Sequence, residues 1–436
     1  MSIRIAIGAL VASLVTTLSP AQYYYIPFIV PSNPAADLSG SGLKFTVGDG
    51  SIFVGATGLS FKGVDAGVYE FDRNTYQFIK AFNPVSEPQE SGFGFHLEYL
   101  NGDLFVSAPF AITPFSQSGG ELYRINANTT AVQHTYYEFG GFANFGWNFE
   151  ANGAITVVGA HGNDKLYVYS AVTEDLILTF EPDPMTLDTD YGYDVELNTS
   201  YLAVSAPNTF FNDREGAVYV YDYITGVLLH RLTSPIDDPG VGTADFGHSI
   251  ELVGDKLLVG YTNFGAANVF RDKIHVFDLT TGNLITTLTT DTGALDDGFG
   301  DTISSEGNIA VIGARLDDTV ATNSGAVYIY NMDTLELIQK VLPVTGNSEG
   351  LGFGRSVHIQ DGVILASGSN NATPEFNDSR FYILERFCRP DINLDGNLNF
   401  LDVSAFLKFA IDYNEDASFN FLDISAFLAA FSAGCP

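Results

Sequence analysis

At 436 residues, with 46% apolar residues and 44 glycines, the chain has the length and composition of a β-rich globular protein. Its formal net charge of −33 repels nucleic acid and anionic lipid, and sets both aside as partners. Beyond the amino terminus no apolar run is long enough for a membrane span.

The opening MSIRIAIGALVASLVTTLSPAQ has the parts of a signal peptide. Arg4 supplies the positive n-region, Ile5 to Val15 the apolar core, and Ser19-Pro20-Ala21 a small-residue cleavage site. Removal of residues 1–21 would start the mature chain at Gln22 and send it out of the cell, secreted or held at the cell surface. A retained membrane anchor is the alternative. Loss of Arg4 takes the formal charge from −33 to −34.

Seven related copies follow. Each opens at a glycine, typified by Phe246-Gly247, and these glycines fall at Gly42, Gly94, Gly146, Gly192, Gly247, Gly300 and Gly354, spaced by 52, 52, 46, 55, 53 and 54 residues. An alternating run and a turn lead to an apolar run ending in small residues, from SIFVGA (51–56) to VILASG (363–368). A third run of β-branched and aromatic residues such as KIHVFD (273–278) comes next, then a fourth such as VLLHRLTSP (227–235). Four short strands repeated about every 50 residues make a β-propeller blade. The expected fold is all-β: a seven-bladed propeller of four-stranded antiparallel blades, its many rings packed between blades. The seventh copy has no fourth run after RFYILE (380–385), whereas YYYIPFIVP (23–31) precedes the first copy as a fourth run would. Tyr23 to Val30 is therefore expected to be the outer strand of blade seven, closing the ring across the termini.

The FG-x-S-[IV] starts, V-G-A second strands and S-G-A-V-Y-[VI]-[YF] third strands resemble the FG-GAP repeat family, related to the integrin α-chain propeller, in its secreted bacterial branch. The resemblance covers residues 24–385 and implies the fold. Integrin-type blades carry D-x-D-x-D-G calcium loops. The acidic loops here, RLDDTVATNSG (315–325) and NDREG (212–216), lack that spacing, which puts calcium within the propeller in doubt.

After the last blade the pattern changes. DINLDGNLNFLD (391–402) places Asp391, Asn393, Asp395, Asn397, Asn399 and Asp402 at positions 1, 3, 5, 7, 9 and 12 of an EF-hand loop, with Gly396 at the turn. DYNEDASFNFLD (412–423) repeats this as Asp412, Asn414, Asp416, Ser418, Asn420 and Asp423, offset by 21 residues. Oxygen ligands at alternate positions are what a hard cation needs from a loop that wraps it, so two Ca²⁺ ions are expected. Both loops end in Asp rather than Glu, and Ala417 stands where the turn glycine belongs, which predicts a weaker second site.

One short helix is expected after each loop, VSAFLKFA (403–410) and ISAFLAAF (424–431). Such tandem loop-helix units resemble the dockerin module, in a form ending Gly434-Cys435-Pro436. The two cysteines, Cys388 and Cys435, bracket it and read as one disulfide in an exported chain. A dockerin resemblance implies a cohesin-like or other surface protein as partner. The apolar pairs Phe400-Leu401 and Phe421-Leu422 fit either a partner face or the module's own core. The domains are then the signal peptide (1–21), the propeller (22–386) and the dockerin-like module (387–436).

Motifs for catalysis are scarce. The seven histidines show no metal-ligand spacing, and Gly-x-Ser-x-Gly and HExxH do not occur. Carboxylates shortly before the repeat glycines remain: Glu90, Asp188, Asp190, Asp245, Asp296, Asp297 and Glu349. The connections carrying them are expected to gather at one mouth of the channel. There they could bind an extracellular glycan or protein, or simply form an acidic loop surface. The leading reading is a secreted non-catalytic binding or adhesion propeller docked through its calcium module. The alternative is an extracellular polysaccharide-acting enzyme, since two carboxylates can hydrolyse a glycosidic bond.

Overall fold

The computed structural model describes residues 23–29, 43–57, 67–82, 91–112, 119–138, 143–183, 189–207, 216–235, 245–262, 272–290, 297–343, 349–369 and 379–388. These form seven four-stranded antiparallel sheets. β1 (Tyr23–Ile29) is followed by blade one, made of β2 (Leu43–Gly48), β3 (Ser51–Ala56), β4 (Gly67–Asp72) and β5 (Phe78–Phe82). Blade two is β6 (Leu97–Leu100), β7 (Asp103–Ala108), β8 (Glu121–Asn126) and β9 (Val132–Tyr137). Blade three is β10 (Phe149–Ala151), β11 (Ile155–Ala160), β12 (Lys165–Ser170) and β13 (Leu176–Phe180). Blade four is β14 (Val195–Leu197), β15 (Tyr201–Ala206), β16 (Ala217–Asp222) and β17 (Leu228–Thr233). Blade five is β18 (Asp245–Val253), β19 (Lys256–Thr262), β20 (Lys273–Asp278) and β21 (Asn283–Thr289). Blade six is β22 (Phe299–Glu306), β23 (Ile309–Ala314), β24 (Ala326–Asn331) and β25 (Glu336–Val341). Blade seven is β26 (Val357–Gln360), β27 (Val363–Ser369) and β28 (Ser379–Cys388), with β1 as its outer strand.

The ring closes as expected from the sequence. β1 pairs antiparallel with β28 from Tyr23 opposite Cys388 to Ile29 opposite Tyr382. The first strands of successive blades touch in an unbroken circuit that returns from β26 to β2. β28 runs through to Cys388, so the last blade continues to that cysteine without a spacer.

Each apolar cluster lies between neighbouring blades, which is why one blade could not stand alone. The cluster uniting Val218, Val220 and Leu232 of blade four with Phe246, Ile250 and Val259 of blade five is typical. The aromatic of the opening pair is its hub: Phe93, Phe145, Tyr191, Phe246, Phe299 and Phe353 are all at most 1% exposed. Five of them meet the tyrosine of the third strand at a steep angle, as in Phe145–Tyr167 (5.6 Å), Tyr191–Tyr219 (5.2 Å) and Phe353–Tyr382 (4.9 Å). Edge-to-face contact of this kind adds about 1 kcal/mol per pair beyond area burial.

The two recurring glycines are explained by one contact. A Cβ on Gly159 of the second strand would lie 2.1 Å from the carbonyl oxygen of Gly192, the glycine that opens the next blade. Gly192 itself has φ +90°, a conformation that side chains rarely adopt, and its own Cβ would lie 2.5 Å from the Lys165 carbonyl. Adjacent blades thus meet backbone to backbone. The turns after the third strands repeat as well: the Thr75 amide donates to Asp72, the Thr225 hydroxyl and amide to Asp222, and the Thr280 hydroxyl with the Thr280 and Thr281 amides to Asp278, holding these carboxyls below their ordinary pKa.

Candidate functional site in the propeller channel

The first strands enclose a channel of 1020 Å³. Their pairing with the second strands shares one register. Phe45, Leu97, Phe149, Val195, Ile250, Ile303 and Val357 each lie opposite the central residue of the neighbouring strand. The next residue of each therefore forms a level belt: Thr46, Glu98, Glu150, Glu196, Glu251, Ser304 and His358, all lining the channel. One rung nearer the mouth come Lys44, His96, Asn148, Asp194, Ser249, Thr302 and Ser356.

Most of the belt bonds blade to blade, because adjacent first strands do not pair. The Tyr99 amide donates to Thr46 Oγ1 (3.0 Å), the Ala151 amide to Glu98 Oε2 (2.7 Å), and the Ile359 amide to Ser304 Oγ (3.1 Å). The Leu252 amide donates to Glu196, and Ser305 Oγ to Glu251 Oε1 (2.7 Å). Between blades seven and one, Gln360 Oε1 replaces the belt residue and accepts from the Val47 amide (2.7 Å). A second link nearer the mouth runs from the Ile250 amide to Asp194 Oδ2 (2.7 Å). Glu150 stands apart, its side chain making no hydrogen bond among the described residues. Just before the same strand Asn148 Nδ2 donates to Asp194 Oδ1, while Asn148 Oδ1 is shut off from water without a partner among the described residues.

Crowding in the channel governs protonation. Burial pushes Glu98 and Glu251 up to about 8 and Asp194 up to about 6. Glu150 and Glu196 are raised well above the carboxylate range by burial and by the neighbouring carboxyls. Burial lowers His96 to about 3 and His248 to about 4, and lowers His358 and Lys44, although Asp194 draws Lys44 back up. At neutral pH the belt is a ring of uncharged carboxylic acids, hydroxyls and imidazoles, each able to donate or accept.

At the mouth the residues after the repeat glycines of blades two to five form an aromatic arc. Phe95 lies 4.6 Å from Trp147, Trp147 5.6 Å from Tyr193, and Tyr193 5.4 Å from His248, centre to centre. His161 backs the arc at 4.7 Å from Trp147 and 5.4 Å from Tyr193. It is held by Asn144 Nδ2 on Nε2 (3.0 Å) and by Asp190 facing Nδ1 (3.4 Å). Blade six carries Asp301, which accepts from Arg315 Nε (2.7 Å).

Of the carboxylates singled out from the sequence, three have described side chains. Asp190 is buried behind the arc, Asp297 is buried near the start of blade six, and Glu349 is exposed. Asp245 opens β18 opposite Thr262, its side chain lying outside the described residues. Glu90, Asp188 and Asp296 lie outside the described residues altogether, as do the expected signal peptide, the expected calcium loops and helices, Phe400, Leu401, Phe421, Leu422 and Cys435. The acidic loop at 315–325 is internally tied: Asp317 is fully buried and bonds Lys340 Nζ (2.9 Å) and Tyr328 Oη (3.0 Å). Among the described residues no three His, Cys, Asp or Glu side chains are grouped to hold a metal ion.

The glutamate belt was missed in the sequence, although its signal is there. Glu98, Glu150, Glu196 and Glu251 each stand four residues after a repeat glycine, in four consecutive copies.

A model of the FG-GAP repeat family matches residues 283–330, covering the outer strand of blade five and most of blade six. The curated proteins contain no match to the chain. The ring is a seven-bladed propeller, and the stretch at 283–330 is similar to an FG-GAP repeat, which together support a binding or adhesion-type role. Among the described residues no helix is long and apolar enough to cross a membrane.

Proposed function

We propose that this chain is a secreted, non-catalytic binding propeller, docked to a cell surface or extracellular assembly by a calcium-dependent dockerin-like module at 387–436. One observation carries the binding role: the closed ring surrounds a channel whose wall combines convergent polar groups with a half-exposed aromatic arc, the composition of a recognition site. The docking role rests on the paired loops Asp391–Asp402 and Asp412–Asp423, with Ca²⁺ as the ion and a cohesin-like or other surface protein as the partner. The Cys388–Cys435 disulfide would clasp that module, and Phe400, Leu401, Phe421 and Leu422 offer its apolar contacts. Retention of the full chain on the surface fraction of its source cells, with calcium and with chelator, tests this reading. Calcium-dependent retention that is lost when 387–436 are deleted supports it, and equal retention in all arms refutes it.

The polysaccharide-acting alternative draws on Asp194 at about 6 and Glu98 at about 8 within one cavity, two carboxyls in different states near neutrality. Release of reducing ends by the wild type but not by Asp194→Asn would favour it.

A further inference from the structure

We infer that the channel takes the free end of a neutral carbohydrate chain, with one sugar ring lying on Trp147 and its hydroxyls meeting the polar groups of blade three below. This deepens the binding role proposed above and rests on it.

The stacking surface is built and braced. Trp147 is the only tryptophan in the chain, and it lines the channel half-exposed. Phe95, Phe110 (6.1 Å), Tyr193 and His161 surround it, and His161 is itself fixed by Asn144 and Asp190. A ring held from several sides offers a flat apolar surface without further ordering on binding, which suits the C–H face of a pyranose.

The hydrogen-bonding capacity below it is unspent at one place. Thr46, Glu98, Glu196, Glu251, Ser304 and Gln360 each link a blade to the next, which explains them structurally. Glu150 forms no such link, and Asn148, two residues before it, keeps an acceptor without a partner among the described residues. Polar groups left unmet in a channel wall are satisfied by a ligand or by water. Of the groups around Glu150, the carboxyls of Glu98, Glu196 and Glu251 are raised and the imidazoles of His96, His248 and His358 lowered toward their uncharged forms, while the charge of Asp194, at about 6, is offset by Lys44 in the same channel. Such a lining both donates and accepts, as sugar hydroxyls do.

Ring closure fixes the mode of access. With β1 paired to β28 the ring has no gap between its first and last strands, so the belt below Trp147 is approached along the channel axis, a path that suits the end of a chain.

The test is an array of neutral oligosaccharides probed with the full chain, followed by calorimetry on the best binder. Trp147→Ala and Glu150→Leu should each weaken it by roughly tenfold or more. Glu150→Gln, which keeps donor and acceptor, should stay within about twofold. Thermal melts check folding, and Glu150→Leu carries the test alone if Trp147→Ala fails to fold. Spermidine bound by the wild type and lost in Glu150→Gln would assign the channel to an organic cation and overturn the inference. Glycan binding that survives Trp147→Ala and Glu150→Leu would also overturn it, while leaving the binding role intact. An array with no neutral binder overturns both the inference and the glycan side of that role.

Discussion

The glutamate belt makes the propeller's stability depend on pH in a direction opposite to most acidic proteins. In the folded chain Glu98 is raised from 4.5 to about 8, so the folded state holds its proton more tightly than the unfolded state does. The resulting stabilisation is complete below pH 4.5 and is lost as pH rises to about 8. At about 1.4 kcal/mol per pH unit, the interval from 4.5 to about 8 caps the effect near 5 kcal/mol. Water reaching this half-exposed side chain reduces it to about 2 kcal/mol. Glu98→Gln is the clean perturbation, because the amide oxygen can still accept from the Ala151 amide while nothing titrates. The variant should match the wild type at pH 4 and exceed it by about 2 kcal/mol at pH 9. Urea titrations at a series of pH values, followed through the fluorescence of Trp147, read the ring directly, since no other tryptophan contributes. Parallel pH profiles for the two proteins would refute the claim that the channel holds protonated carboxyls.

Three further outcomes are expected. Gly313→Ala places a methyl 2.0 Å from the Gly354 carbonyl oxygen, forcing blades six and seven apart at a cost of about 1–3 kcal/mol in chemical denaturation, whereas an unchanged midpoint would show that the blades can slide. Deleting residues 23–30 exposes the long edge of β28, so the shortened chain should aggregate or be cut rapidly within blade seven by protease, and wild-type resistance would mean that closure matters little. Calorimetry with Ca²⁺ should resolve two sites with the 412–423 loop the weaker because Ala417 occupies its turn, and Ala417→Gly should narrow the gap; equal affinities in the wild type contradict this.

The blades were legible because their packing imposes a period. The V-G-A runs became second strands within a residue or two, the third runs became third strands, and the missing fourth strand of blade seven was found at the amino end, where β1 lies. The opening glycines are accounted for by a left-handed backbone pressed against the previous blade, as Gly192 is against Lys165. The channel was harder to read. Alternating polar positions on the first strands look like the solvent face of any half-buried strand, and only their shared spacing from the repeat glycines marks them as one belt. Asp190 illustrates the converse error: an acidic residue in a connection looked exposed, yet it is buried against His161.

The same belt separates structural from functional use of one residue type. A glutamate whose oxygen takes the next blade's amide is a fastener, and Glu98 and Glu196 need no ligand to account for them. Glu150 occupies the same register, suffers the same burial and fastens nothing. A raised, unbonded carboxyl costs stability at neutral pH, and Gln at this position would avoid most of that cost while keeping the shape of the wall. The exception falls in blade three, directly after Trp147 and the Asn148 oxygen that lacks a partner among the described residues. These three departures from the ring's own pattern lie within four consecutive residues, 147–150, which is why the inferred sugar site is argued at blade three rather than around the whole circumference.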